Sequence, residues 1–262
     1  MIDSVTLTLF ALLKSLKLRA IPVFFQWHES GSRNFDIFHG WQNTMGNTVS
    51  DSTKPVSSKL DSRLSRVYDN PGDKQTLFDD WAPTYDHDLV NELGYVADAE
   101  ACERLIKLIP DQQARILDAG CGTGLVGRRL QQAGYTQIHG NDYSEKMLDE
   151  AGSTGAYVSL LQHDLTRPVE TDELYDAAIA VGVFAFSVPS AEHLVNITCS
   201  LKPGGVALVT VNGKAWHEVD WPAQLDGFDH RFPQARLLEI QTIDYLTAEG
   251  IDGRLLILQR TD

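Results

Sequence analysis

The 262-residue sequence is short of cysteine, of positive charge and of long apolar runs. Cys102, Cys121 and Cys199 are its only cysteines, too few for a disulfide framework and too far apart for a CxxC pair. Such usage suits a reducing compartment, and a cytoplasmic location is expected. Lys and Arg number 22 against 36 Asp and Glu, a formal net charge of -14. The first 60 residues hold six basic and four acidic side chains, which leaves 16 against 32 in residues 61–262. A surface of that sign repels phosphate backbones, so no nucleic-acid partner is expected, although the acidity also serves solubility. Residues 5–25 are mostly apolar but are interrupted by Lys14, Lys17 and Arg19, short of the roughly 20 unbroken apolar residues a membrane span requires. Asp3 precedes that stretch and the cations follow it, the reverse of a secretory signal. The histidines are scattered, and Asp86-His87-Asp88 lacks a second ligand pair at metal-site spacing, so no metal is expected.

Residues 41–60 are rich in Ser, Thr and Asn, which bury too little apolar surface to offset the entropy of ordering. Met45 opens this polar run. Residues 1–44 therefore read as an upstream extension, with a basic amphipathic segment that touches a partner or membrane surface as the alternative. The expected division is an extension and linker of low order over 1–60 and one catalytic domain over 61–262.

Within that domain Cys102, Leu105, Ile106 and Ile109 recur at helical spacing and stop at Pro110, which predicts a helical lead-in. Short β-prone runs then alternate with helical ones, with strands predicted at 114–117, 137–140, 157–161, 175–181 and 205–211. Alternation of this kind implies an α/β fold with a mostly parallel sheet covered by helices on both faces. Gly134 marks the end of the first helix within the alternation and Ser144 the start of the next. Pro203-Gly204-Gly205 reads as a break ahead of the fifth strand. Residues 237–246 and 254–259, joined by a glycine-containing turn, read as a terminal antiparallel hairpin.

The most informative run is Ile116-Leu117-Asp118-Ala119-Gly120-Cys121-Gly122-Thr123-Gly124, an apolar strand entering glycines and then a helix. Glycines let a ligand approach backbone where a Cβ would collide. Gly122, Gly124 and Gly127 also satisfy GxGxxG, so a dinucleotide-dependent oxidoreductase has to be weighed. Asp118 tips the balance: a pyrophosphate at the strand end would face a negative charge, whereas an ammonium or sulfonium group would be attracted by one. Asp142 lies 24 positions later, near the spacing at which an acid accepts hydrogen bonds from ribose hydroxyls. Asp164 ends the third predicted strand, where it can accept a proton from an adenine amino group while Leu165 packs on the ring.

With LDAGCGTG, Asp142, Asp164 and Leu201-Lys202-Pro203-Gly204-Gly205, the sequence resembles the class I S-adenosylmethionine (SAM) dependent methyltransferases over residues 73–260. Phe78-Asp79-Asp80-Trp81-Ala82-Pro83-Thr84-Tyr85-Asp86 and Leu93-Gly94-Tyr95 are similar to the lead-in of the Williams-Beuren-region methyltransferase-like subfamily. The resemblance implies a Rossmann-like three-layer sandwich with a seven-stranded sheet, and residues 73–95, which carry Trp81, Tyr85, Gly94 and Tyr95, more aromatic surface than a passive linker needs, read as an N-terminal helical lid. The resemblance also implies SAM as cofactor and a place for Tyr85 over the methionine end. The expected cofactor-binding set is Tyr85, Asp118, Gly120, Gly122, Gly124, Asp142, Tyr143, Met147, Asp164, Leu165 and Val181.

Methyl transfer from a sulfonium releases a neutral thioether, so holding the nucleophile close and aligned can supply most of the catalysis. No catalytic residue is assigned beyond His217, a candidate general base because imidazole titrates near neutral pH. Val181-Gly182-Val183-Phe184-Ala185-Phe186 contains no Asp/Asn-Pro-Pro-Tyr element of the type found in amino-methylating nucleic-acid enzymes, and it lacks the polar Gly-His element expected of the subfamily. Phe184, Phe186, Trp216 and Trp221 are candidates to line an acceptor pocket. The reading is a transferase acting on a small-molecule acceptor. The alternatives are the oxidoreductase and a SAM-binding protein without catalysis.

Overall fold

The computed structural model describes Val67, residues 74–171 and residues 173–262. The readings of the extension and linker over 1–60, of Met45 and of the apolar stretch 5–25 fall outside the described residues. Among the described residues, seven strands form one sheet in the order β3-β2-β1-β4-β5-β7-β6. Their ranges are β1 Arg115–Ala119, β2 Gln137–Asp142, β3 Ser159–Gln162, β4 Tyr175–Ala180, β5 Leu201–Asn212, β6 Ala235–Leu246 and β7 Ile251–Arg260. The first five pair in parallel, and β7 runs antiparallel between β5 and β6. This is the expected Rossmann-like layering with its C-terminal hairpin. No described helix is long and apolar enough to cross a membrane.

Both faces of the sheet's central strands are buried, and strand alternation divides them. Ile116, Ala177, Ile179, Leu208, Leu255 and Ile257 point into one core, and Leu117, Ala178, Ala180, Val209, Leu256 and Leu258 into the other. The first core is closed by α1 (Lys74–Trp81), by α2 (Ala97–Leu108) through Ala101, Cys102 and Leu105, and by α3 (Leu125–Gln132) through Val126 and Leu130. Helix α4 (Glu145–Ser153) packs beside β2 and β3. The second core is closed by α5 (Leu194–Thr198), α6 (Gly213–Glu218), α7 (Trp221–Leu225) and α8 (Phe228–Arg231). Ser144 caps α4 as its spacing suggests, its Oγ accepting from the Met147 N–H at 3.1 Å.

Two local expectations give way to packing. Pro203-Gly204-Gly205 does not break the chain ahead of β5 but lies inside that strand. Tyr175 pairs with Leu201 and Ala177 with Val206, so the extra residues are absorbed as a bulge. A Cβ on Gly205 would sit 2.9 Å from the Lys202 carbonyl oxygen and 3.0 Å from that of Asp176, which explains glycine there. Tyr157, read as the first residue of the third strand, instead precedes β3 and turns its ring beneath the glycine turn. A Cβ on Gly127 would overlap that ring, so glycine at 127 sets how closely α3 approaches Tyr157.

The lead-in is bonded at both ends. A 3-10 turn (Ala82–Thr84) and a π-helical segment (His87–Glu92) follow α1. The Val96 N–H then donates to the Tyr245 carbonyl at 3.1 Å and the Thr247 N–H to the Gly94 carbonyl at 3.0 Å, which joins the lead-in to the end of β6. Because β6 runs parallel to β4 and β5, that end lies on the same carboxyl edge as theirs. The packing at Gly127 predicts that Gly127→Ala costs about 1–3 kcal/mol of stability by overpacking the Tyr157 ring. Urea denaturation would check this, and an unchanged midpoint would show that the ring has room to move.

Candidate active site

The sheet order reverses between β1 and β4, and in open α/β sheets ligands bind in the crevice at such a point, outside the carboxyl ends of the strands. A cavity of about 330 Å³ opens there. Of the eleven residues expected to hold a cofactor, nine line it: Tyr85, Gly120, Gly122, Asp142, Tyr143, Met147, Asp164, Leu165 and Val181.

The glycine turn after β1 is held by the end of β2. The Gly120 N–H donates to Asn141 Oδ1 at 3.1 Å, the Cys121 N–H to the Asn141 carbonyl at 2.8 Å, and the Gly122 N–H to Asp142 Oδ2 at 2.9 Å. Gly122 has φ +53° and nothing within 4 Å of where its Cβ would lie, so it presents bare backbone on the open side of the turn. The second Asp142 oxygen accepts from the Ser144 N–H at 2.9 Å. Burial raises the Asp142 pKa, and the amides of Ser144, Gly122 and Tyr143 oppose that rise. These amides leave the carboxylate a lone-pair site, so the group can still accept from a ligand.

Asp164, at the mouth of the cavity, accepts from both the N–H and the hydroxyl of Thr166, at 2.9 and 2.8 Å. Partial burial pushes its pKa up, but the Thr166 donors with nearby Arg167 and His163 outweigh this and leave it lowered, so it stays ionised. Leu165 is buried beside it and Tyr143 is half exposed.

Asp118 and Gly124 lie elsewhere. Asp118 is 1% exposed and lines neither this cavity nor the smaller one beside it. Its Oδ2 accepts from the Tyr157 hydroxyl at 2.7 Å, and its Oδ1 has no hydrogen-bond partner. Burial raises its pKa to about 7, opposed by the Tyr157 hydrogen bond and reinforced by the charge of Asp142. The expectation of a fixed negative charge facing the ligand therefore changes to a buried acid behind the turn, its pKa raised by burial. Gly124 begins α3 with φ +92° and packs on Thr154, Tyr157 and Ala151.

The lead-in covers the cavity through groups that the sequence did not single out as ligands. Phe78, Lys74 and Gln75 of α1 line it beside Tyr85. Tyr85 is held edge-on against Trp81, with ring centroids 4.9 Å apart, and against Phe78 at 6.4 Å. Two carboxylates fasten the segment: Asp79 accepts from the Ser144 hydroxyl, while Asp86 accepts from the Thr123 hydroxyl and pairs with Arg128. Asp88 accepts from Trp81 Nε1 at 2.8 Å and from the Thr84 hydroxyl at 3.0 Å. The acids of the Asp86-His87-Asp88 run are thus engaged with the protein's own donors. The half-buried Lys74 ammonium donates to the Phe186 carbonyl, and burial lowers its pKa.

His217 is exposed on α6 and lines neither cavity. Of the four aromatic residues considered for an acceptor pocket, only Phe186 lines one. Phe184 and Trp221 are fully buried and meet edge-on at 6.4 Å, and Trp216 belongs to the same core with Arg254 over its ring. Their burial completes the second core, an outcome that residue type alone cannot distinguish from a pocket wall.

Comparison with known proteins agrees with this architecture. A family described as a methyltransferase domain matches residues 116–205. Methyltransferase-like protein 27 of Homo sapiens is 32% identical over 173 residues, spanning 63% of this chain and 68% of that protein. A ubiquinone biosynthesis O-methyltransferase of Bradyrhizobium diazoefficiens is 27% identical over 180 residues, spanning 64% and 70%. Among solved structures, a Thermotoga maritima SAM-dependent methyltransferase, titled a possible histamine N-methyltransferase, superposes with a TM-score of 0.51 at 18% identity over 72% of this chain and 99% of its own.

The buried acid supplies a pH test. Between the unfolded pKa near 3.8 and the folded value of about 7, the native state holds a proton that the unfolded state has released. Stability contributed at this site therefore falls as pH rises through that window, by up to about 1.4 kcal/mol per pH unit. Asp118→Asn should remove that slope, read as the difference between wild-type and variant unfolding free energies at pH 4 to 7. A constant difference would mean that Asp118 is ionised throughout.

Proposed function

The chain belongs to the class I SAM-dependent methyltransferases, and on that premise we propose that the cavity at the carboxyl ends of β1, β2 and β4 is the SAM site of an enzyme that methylates a small-molecule acceptor. The observation that carries the assignment is the Gly122–Asp142 pairing, in which bare backbone and a part-buried carboxylate face one cavity. In this reading Asp142 accepts from the ribose hydroxyls, Asp164 accepts from the adenine amino group, and Leu165, Tyr143 and Met147 enclose the base. Gly120 and Gly122 admit the amino-acid end against backbone, with Val181 and Tyr85 beside it. SAM supplies a methyl group activated by its sulfonium. The protein binds, aligns and excludes water, and a displacement that releases a neutral thioether needs little more.

A small-molecule acceptor is supported by the acidic surface and by relatives named for ubiquinone and malonyl-acyl carrier protein O-methylation. A cytoplasmic location remains part of this reading, on cysteine usage alone. The charge argument from Asp118 no longer separates SAM from a dinucleotide, since that group faces Tyr157. Membership of the methyltransferase class now makes the distinction.

Asp142→Ala should weaken SAM binding by about 1.5–3 kcal/mol, because ribose hydroxyls lose their acceptor and the turn amides lose theirs. Calorimetric titration of the folded variant checks this, and wild-type affinity would refute the ribose role. A second test concerns the lead-in as a lid. Amides of residues 77–90 should exchange more slowly when S-adenosylhomocysteine is bound, with little change in β1, and Tyr85→Ala should weaken binding or turnover without unfolding the domain. Equal exchange in both states, with wild-type behaviour of the variant, would leave the lead-in as static packing.

A further inference from the structure

A second cavity, of about 70 Å³, lies against the first and shares Phe78, Tyr85, Gly182 and Ser187 with it. Six aromatic rings line it, Phe78, Trp81, Tyr85, Tyr95, Phe186 and Tyr245. They come from three separate parts of the chain: the lead-in, the loop after β4 and the end of β6. The rings hold one another in place. Trp81 meets Tyr85 edge-on, and Tyr95 meets Tyr245 with centroids 5.4 Å apart and planes at 75°.

Two polar groups of this cavity, the Tyr95 and Tyr245 hydroxyls, meet at one point. A Cβ on Gly182 would lie 3.1 Å from the Tyr95 hydroxyl and 3.8 Å from the Tyr245 hydroxyl, so both reach the backbone at the end of β4. The two hydroxyls are hydrogen-bonded to each other, which leaves the pair one proton to donate and lone pairs to accept with, and burial lifts the Tyr95 pKa well above its ordinary value, so the hydroxyl stays protonated. Asn212, at the end of β5, also lines the cavity. Its Oδ1 accepts from the Lys214 and Ala215 N–H groups at 2.8 and 3.4 Å, so its amide nitrogen is the end left for a ligand.

We propose that this second cavity is the acceptor subsite, and that it takes a small planar aromatic molecule whose heteroatom is hydrogen-bonded by the Tyr95–Tyr245 pair at Gly182. The inference rests on the reading of the first cavity as the SAM site, because the wall shared through Tyr85 and Gly182 is what brings donor and acceptor together. Edge and face contacts from several rings favour a flat π partner over an aliphatic chain of the same size. Two hydroxyls aimed at one spot in an apolar pocket fix the orientation of a single polar atom and disfavour analogues that lack it. At about 70 Å³ the cavity is smaller than the roughly 150 Å³ that holds a benzene ring, so the ring extends from it through the shared wall toward the larger cavity. Tyr245 stands outside the first cavity and is the specificity-determining residue of this arrangement.

The test uses the full chain saturated with S-adenosylhomocysteine and ligand-observed NMR with phenol and aniline beside cyclohexanol and cyclohexylamine. Phenol or aniline should bind at least about tenfold more tightly than its cyclohexyl counterpart. Tyr245→Phe should weaken that binding by about fivefold through loss of one hydroxyl, and Tyr245→Ala should abolish it, while calorimetric affinity for S-adenosylhomocysteine stays unchanged. Equal binding of the aromatic and cyclohexyl probes, no binding of either aromatic probe, or aromatic binding indifferent to Tyr245→Phe would overturn the acceptor assignment. Tyr245→Phe keeps the ring and so remains informative if Tyr245→Ala fails to fold. Failure of the wild-type chain to bind S-adenosylhomocysteine would instead refute the SAM-site reading. Binding of that product without aromatic selectivity refutes the acceptor subsite alone.

Discussion

Three consecutive backbone amides, Gly120, Cys121 and Gly122, donate in turn to the Asn141 side chain, the Asn141 carbonyl and the Asp142 carboxylate. The turn after β1 is thereby fixed to the end of β2, and the cavity has a floor held by the protein's own hydrogen bonds. The next residue extends the connection, because the Thr123 hydroxyl donates to Asp86 of the lead-in. Remove these bonds and the glycines, which permit many conformations, would have no reason to hold one. The cost of ordering them is met by donors that would otherwise be left unpaired in a partly buried place.

The lead-in is therefore a structural part of the site rather than a tether to it. Asp79 reaches the residue that caps α4, Asp86 reaches the glycine turn and α3, and the backbone at Gly94 and Val96 pairs with the end of β6. Residues distant in sequence consequently converge above one edge of the sheet. Each fastening is a single part-buried polar contact outside the strand ladder, so opening it need not disturb the buried strands. An enclosure that has to admit a substrate and release a product needs that property.

Asp118 and Asp142 show how placement rather than residue type sets the chemistry of an acid. Both end a strand beside the same turn, and burial raises the pKa of both. Asp142 is compensated by backbone amides and keeps lone pairs toward the cavity. Asp118 is opposed in its rise only by the Tyr157 hydroxyl and the Gly127 backbone, and has no cavity to face. The first is suited to recognising hydroxyl groups, while the second is a buried element of the core that supports Tyr157, and through it the approach of α3.

The strand-and-helix alternation, the glycine turn and the acids at successive strand ends were legible in the sequence because each follows from local chemistry: residue period, turn-permitting glycine, capping side chains. Those signals were enough for the Rossmann-like fold and for nine of the residues lining the larger cavity. They could not say which way Asp118 points, since a strand-end side chain can face the crevice or the core and only packing against Tyr157 decides. Nor could they sort the aromatic residues. Phe184, Trp216 and Trp221 went to the core, whereas Tyr95 and Tyr245, separated by 150 positions, met beside Gly182. The bulge at Pro203-Gly204-Gly205 was likewise settled by pairing with β4, which continued a strand where residue type alone favours a stop. Local propensity fixed the elements and their order. Only the tertiary structure, by closing distant segments over one sheet edge, decided which side chains share a cavity.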